Sequence, residues 1–285
     1  MTRYQDWHTH NSMCHHAIGS VKDYVKKAIE LNLDTIGLSD HFPYDYLEGL
    51  NGIPIEEYSM NLKDIESYIS KIEALKKKYQ KKINVRIGFE IDFIENQINK
   101  LNIYLNKFKP RLDYILGSVH ILFSENGRPW AMDDSRFLEM YNSIGTNNVF
   151  LKYYQTLRKM INSTDFDFDI VSHFDLPKKF NKIPSSSDEL TNEINKTLDC
   201  VKKRHLAIEI NSSGLRKEVK EQYPSENIIK TMYELDIPIL LGSDAHDPNE
   251  LAYDFNKITK LLKDIGYNQL IVFNKRKPSF IEINA

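Results

Sequence analysis

Cysteine is scarce: the 285-residue chain holds two, Cys14 and Cys200, with no CxxC pair. Neither a disulfide framework nor a thioredoxin-like redox pair can be built from them. No apolar run approaches the 18 residues a membrane-spanning helix needs. The opening MTRYQDWHTH has no apolar core of a secretory signal, so cytoplasm is the expected address. Charge of one sign is also missing. Lys+Arg is 38 and Asp+Glu is 40, a formal net charge of -2, which gives no reason to expect a nucleic-acid or membrane partner. Gly/Ser linkers, low-complexity segments and internal repeats are absent, and the length suits one domain over residues 1–285.

Short apolar, β-branched segments alternate with longer amphipathic ones. Strands are expected at Tyr4–Trp7, Thr35–Leu38, Val85–Ile91, Tyr114–Leu116, Asp169–Val171, Ala207–Ile210, Ile239–Leu241 and Leu270–Val272. Helical periodicity marks Val21–Leu31, Leu62–Tyr79, Val149–Ile161, Ser187–Arg204, Glu226–Leu235 and Glu250–Leu262. Strand-then-helix order repeated seven or eight times predicts a parallel sheet closed into a barrel. The irregular stretches Phe42–Ser59 and Phe123–Asp134 each follow a strand and a histidine, and are candidate substrate loops.

The nine histidines are placed unevenly. Five strands run into one within about three residues, in YQDWHTH, TIGLSDH, YILGSVH, DIVSH and ILLGSDAH, and a sixth, RIGFEID, ends in Glu90. In a parallel barrel these ends share one rim, where active sites of such barrels lie. Imidazole and carboxylate are the ligands of Zn, Mn or Fe. In HxH, the period-2 geometry of a strand sends both rings to one side. A lone strand-end histidine is more often structural, but chance does not gather five at one end.

Together HTH, SDH, the strand-end glutamate, SVH, SHFD and SDAH resemble the polymerase-and-histidinol-phosphatase (PHP) superfamily. HTHNSMCHHA (8–17), SDHFP (39–43), GSVH (117–120), SHFDLPKKF (172–180) and EINSSGLRK (209–217) resemble its histidinol-phosphate phosphatase branch. The resemblance implies a distorted (β/α)7 TIM-like barrel with three divalent metal ions. His8, His10, Glu90 and Asp244 would hold one. Glu90 would bridge to a second, completed by His120 and His173. His16, His41 and His246 would hold the third, leaving His15 to support the ligands from behind or to face substrate. The implied activity is hydrolysis of L-histidinol phosphate, with Glu90, Asp244 and His246 as catalytic residues. Clustered cations would neutralise the phosphate dianion and generate hydroxide.

Arginine pairs bidentately with phosphate oxygens, which makes Arg216 and Arg158 candidate substrate ligands, with Asn211 beside them. Asp40 and Asp175 flank ligand histidines and are candidate acceptors for their second ring nitrogens. Trp130, Asp133, Asp134 and Asp45 lie in the long loops, where they could meet the substrate's imidazole and amine. His205 falls outside every motif and reads as structural. The rival readings are a PHP nucleotidase or nuclease, an amidohydrolase barrel and a non-catalytic metal-stabilised module. A nuclease would need a basic groove. An amidohydrolase would usually carry a bridging lysine where this chain has Glu90. A non-catalytic module would be expected to lack ligands.

Overall fold

A computed structural model describes residues 3–283. Its strands, numbered along the chain, are β1 (Gln5–Asp6), β2 (Thr35–Leu38), β3 (Asn84–Asp92), β4 (Tyr114–Ser118), β5 (Ile121–Phe123), β6 (Pro129–Ala131), β7 (Ile170–Val171), β8 (Ala207–Asn211), β9 (Ile239–Gly242), β10 (Gln269–Asn274) and β11 (Lys277–Glu282). Seven of them form one sheet in the order β1-β2-β3-β4-β7-β8-β9, every pair parallel. The sheet closes on itself: Trp7 N donates to Leu241 O (3.0 Å) and His10 N to Ala245 O (2.9 Å). The expected seven-stranded distorted barrel is therefore the fold.

Parallel strands covered on both faces lose the alternation of polar and apolar residues. In β2, β4, β8 and β9 every residue is buried. One set of side chains meets the surrounding helices. The other fills the barrel as a small cluster of Trp7, Tyr114, Leu116, Ile170, Ala207 and Leu240. Tyr114 crosses the lumen to donate to Trp7 O (2.7 Å). Gly37 and Gly88 make room for its ring, since a Cβ at either would collide with it.

The amphipathic segments become helices on the outside. Val21–Glu30 starts at a capping box in which Ser20 and Asp23 satisfy each other's backbone N–H. Asp188–Lys203 starts where the Ser187 side chain accepts from Leu190 N (3.2 Å). No helix among the described residues is long and apolar enough to cross a membrane.

Three expectations change. Leu270–Val272 is not an eighth barrel strand. It belongs to the antiparallel hairpin β10–β11, whose Ile271 and Phe273 plug the lumen from the N-terminal end of the barrel. Lys275 N and Arg276 N at its tip bond Asp113, which precedes β4. Phe123–Asp134 is not irregular, because β5 and β6 pair as a hairpin within it. The helix expected from Glu250 runs Phe255–Ile265, after a left-handed Asp254 (φ 51°).

Candidate metal centre

The plugged end leaves the C-terminal mouth for chemistry. His8 and His10 follow β1, His41 follows β2, Glu90 lies two residues before the end of β3, His120 follows β4, His173 follows β7, and Asp244 and His246 follow β9. His16 arrives on the loop after a single 3-10 turn, Ser12–Cys14. The structure brings all nine sequence-predicted ligands together. Among the described residues five overlapping groups have the reach to hold an ion: His8, His10 and Glu90; Glu90, His120 and His173; His10, His41 and His246; His10, Cys14 and Asp40; and His41, Asp92 and His120, so the expected third set is found with His10 in the place of His16.

Glu90 is the hub. Oε2 lies 3.2 Å from His8 Nε2, 3.4 Å from His10 Nε2 and 3.2 Å from His41 Nδ1. Oε1 lies 2.8 Å from His173 Nε2 and 3.5 Å from His120 Nε2. Asp244 Oδ1 lies 3.2 Å from His10 Nε2 and 3.8 Å from His8 Nε2. Ligands about 2.0–2.2 Å from a tetrahedral ion stand roughly 3.3–3.6 Å apart, and the spacings here, from 2.8 to 3.8 Å, bracket that range.

The far side of each ring decides where its lone pair points. A carbonyl or carboxylate oxygen only accepts, so a ring nitrogen bonded to it carries the proton. His8 Nδ1 donates to Glu209 Oε1 (2.7 Å) and His120 Nδ1 to Asp92 Oδ2 (2.9 Å). His10 Nδ1 donates to Asp40 Oδ1 (3.4 Å). His16 Nδ1 donates to Cys14 O and Glu57 O, and His246 Nδ1 to Asp244 O (3.0 Å). In the neutral form of all five rings, the form that binds a metal, the lone pair therefore sits on Nε2 and faces the cluster. His8 Nε2, His10 Nε2 and His41 Nδ1 are buried with no hydrogen-bond partner. Orphaned buried acceptors tied back by outer oxygens are what a cation site requires, so these residues fit divalent ions.

The charges agree. Burial opposes ionisation of Glu90, but His41, His8 and His120 outweigh it and hold its carboxyl well below the usual range. Burial likewise opposes Asp244, and His8 and His10 hold it well below. Burial pulls His41 and His246 well below the ordinary imidazole value, so both stay neutral ligands. Against burial, Asp244 and Asp40 bring His10 up to about 9, Asp92 and Glu90 bring His120 up to about 10, and Glu209 and Glu90 raise His8, so a cation must displace a proton from each of these three rings.

Two orienting groups escaped sequence reading. Glu209 takes His8 Nδ1 on one oxygen and His173 N (2.8 Å) on the other. Gly242 makes that reach possible, since a Cβ there would strike both Glu209 and His8. The signal was an acid amid the buried apolar strand AIEIN. Asp92 stands two residues after Glu90 on the same face of β3, a spacing that could have found it. Asp40 does orient His10, but Asp175 does not orient an imidazole. It accepts from Tyr154 Oη (3.1 Å) and pairs with Lys178 (3.0 Å).

A cavity of about 570 Å³ opens over the cluster, lined by His15, His16, His41, Glu90, His120, His173, Asp244 and His246 and, beyond them, Glu57, Tyr58, Asp133, Asp134, Arg136, Lys179, Ser213, Lys217 and Tyr223. His15 is there as expected. The expected substrate arginines are not. Arg158 pairs with Glu193 and lines a separate surface recess, because its helix turns that face outward. Arg216 does not line the cavity: Nη2 donates to Ser243 O (2.9 Å) and Asp244 O (3.2 Å), Nε lies 3.2 Å from Glu250, and Nη1 is buried without a partner. Asn211 also braces: its Nδ2 donates to Glu209 and Asp244. Trp130 is turned into the core against Tyr141, and Asp45 caps Leu62 N. The cavity's cations are Lys179, Lys217 and Arg136, which sequence reading did not single out.

The chain is similar to known proteins over most of its length. The PHP domain model matches residues 6–213. A Deinococcus radiodurans protein named "Probable histidinol-phosphatase" is 30% identical over 97% of this chain and 99% of its own. The "putative histidinol phosphatase" of Listeria monocytogenes superposes with a TM-score of 0.82 at 28% identity, over 89% of this chain and 99% of its own. A Lactococcus lactis histidinol phosphate phosphatase crystallised with Zn, L-histidinol and phosphate shares the fold (TM-score 0.77, 19% identity, 97% and 99% coverage). A closed parallel barrel with this cluster at its mouth, matched by the family model over most of its length, identifies the chain as a member of the PHP domain family.

Proposed function

We propose that this chain hydrolyses L-histidinol phosphate to L-histidinol and inorganic phosphate, as one cytoplasmic barrel domain holding three divalent ions. The convergence of imidazole lone pairs on Glu90 carries the reading. His8, His10, Glu90 and Asp244 would hold one ion. Glu90, His120 and His173 would hold a second, and His16, His41 and His246 a third. Nitrogen and oxygen ligands suit Zn, Mn or Fe. Bound ions supply Lewis-acid neutralisation of the phosphate dianion and acidify water.

The chain's own residues do the rest. Lys217 and Lys179 give the cavity positive charge for a dianion. Asp244 has a side chain 15% exposed where that of Glu90 is 1%, so it can relay a proton from the cavity to the leaving alkoxide. Glu57, Tyr58, Asp133 and Asp134 form an acidic, aromatic rim that suits an imidazole and an ammonium group. Support for this substrate comes from relatives named histidinol-phosphatase and from the L-histidinol and phosphate in the Lactococcus lactis structure. The near-neutral charge offers no groove for a polynucleotide.

The test is phosphate release by metal-reconstituted protein. L-Histidinol phosphate should exceed p-nitrophenyl phosphate by at least about 10²-fold in kcat/KM, since pocket groups that pair with imidazole and amine stay unpaired with a generic ester. Equal rates on both would remove the substrate assignment and leave a metal-dependent phosphomonoesterase.

A further inference from the structure

Tyr223 is fully buried, yet its hydroxyl has no hydrogen-bond partner. Buried hydroxyls are normally paired, because an unpaired one destabilises the fold. This one lines the cavity, beside Asp244, Ser213 and Lys217. Its ring cannot swing away to find a partner. The Tyr223 backbone exchanges two hydrogen bonds with Asn211 (2.7 and 2.9 Å). Gly214 packs so close that a Cβ there would stand 3.0 Å from the ring. Lys178 Nζ lies 5.6 Å from the ring centre, fixed by Asp175 (3.0 Å) and Glu221 (2.6 Å). The phenol is thus clamped in the cavity wall with its hydroxyl unpaired.

The surroundings say which way the hydrogen bond runs. Burial, with Asp244 and Asp133 nearby, pushes the phenol well above its ordinary value, so it keeps its proton and donates. Lys217, on the same wall, has no carboxylate within salt-bridge distance among the described residues, whereas Lys179 is engaged by Asp133 (2.9 Å). A fixed neutral donor beside a free ammonium, next to Asp244, suits an oxyanion with several acceptor oxygens and no proton to give.

We propose that the Tyr223 hydroxyl and the Lys217 ammonium hold the phosphoryl group of the substrate, taking the part that sequence reasoning gave to Arg158 and Arg216. This rests on the phosphomonoesterase reading above. The hydroxyl donates to a non-bridging phosphoryl oxygen, and the ammonium balances the charge the ester brings in.

Tyr223→Phe removes one oxygen and leaves the clamped ring. The experiment measures metal content, thermal midpoint, calorimetric binding of inorganic phosphate and kcat/KM on L-histidinol phosphate, all on metal-loaded protein. The variant should keep its metal and melt no lower than the parent. It should bind inorganic phosphate and turn over the ester roughly 10- to 100-fold less well, the worth of a hydrogen bond to a charged group. Lys217→Met should weaken phosphate by at least about 10-fold. A Tyr223→Phe protein that binds phosphate within twofold of the parent overturns the proposal, and so does one that loses metal or melts lower. If phosphate binding falls as expected but L-histidinol phosphate is not a substrate, the substrate reading fails and the phosphoryl contact stands. If the parent turns over L-histidinol phosphate and the variant matches it, the contact fails and the substrate reading stands.

Discussion

His16 Nε2 and His246 Nε2 lie 3.1 Å apart, and each ring is tied through Nδ1 to a backbone carbonyl. With both protons on the outer nitrogens, two lone pairs face each other across a hydrogen-bond distance with nothing to share. Burial lowers the pKa of both rings, so protonation does not relieve the contact near neutral pH. A shared cation does. Divalent ions should therefore stabilise the fold as well as serve catalysis, by about 2.7 kcal/mol at a free ion concentration 100 times Kd. Chelation should lower the thermal midpoint, Zn or Mn should restore it, and elemental analysis should find three ions per chain. Fewer than two tightly held ions after reconstitution would end the trinuclear reading.

Glu209 provides the sharpest test of the outer layer. It touches no predicted ligand atom that faces the cluster, yet it fixes the His8 tautomer and anchors the His173 backbone. Glu209→Gln keeps the shape but can turn an N–H toward His8 Nδ1 and so favour the wrong tautomer. We expect metal affinity to fall roughly 10- to 100-fold, with turnover restored in part by excess metal. Competition with a chromogenic chelator measures it, and unchanged affinity would show that the carboxylate is a packing group.

The barrel and its inner cluster were legible because both leave marks at fixed chain positions. Alternating strands and helices set the direction of every strand, and direction alone collects His8, His41, Glu90, His120, His173 and Asp244 at one rim. His16 follows no strand and was placed by the family's spacing. What escaped reading depends on where a side chain turns after its backbone is placed. Arg216 and Lys217 are adjacent in NSSGLRK, and the short helical turn Ser213–Arg216 sends the first behind Asp244 and the second into the cavity. Arg158 lies on a helix whose phase points it at Glu193. Phe123–Asp134 looked irregular because β5 and β6 are each three residues long.

The two arginines should now behave differently from phosphate ligands. Arg158→Ala removes a partly buried pair outside the cavity, so turnover should stay within about twofold, while the buried Glu193 left without its partner should cost about 1–3 kcal/mol of stability. Arg216→Ala removes the donor that holds the carbonyls of Ser243 and Asp244, where Asp244 adopts a left-handed backbone (φ 50°). Leaving Ser243 O unpaired, with Asp244 O held by His246 Nδ1 alone, should cost about 1–3 kcal/mol of stability. Displacing Asp244 should weaken metal retention and turnover together. Intact metal with weakened phosphate binding alone would return Arg216 to the role of phosphate ligand.

At the opposite end of the barrel, Asp169 is buried under the hairpin tip, with its Oδ2 2.5 Å from Arg276 Nε and accepting from Ile115 N (2.8 Å). Burial raises its carboxyl to about 6, with Arg276 opposing the shift. An unfolded aspartate titrates near ~3.9. Its folded form thus holds the proton more tightly than the unfolded chain does. The stability it contributes is fully present below about pH 3.9 and is lost as pH rises through about 6. The shift of about 2 units corresponds to roughly 3 kcal/mol at most. Asp169→Asn mimics the protonated form and should not show this loss. Urea unfolding of both proteins between pH 4 and pH 7 reads it, since titration of the histidine cluster is common to the two and cancels in the difference. The parent should lose stability relative to the variant across that range. If it gains instead, the ion pair with Arg276 outweighs burial, and the hairpin is held to the barrel by charge.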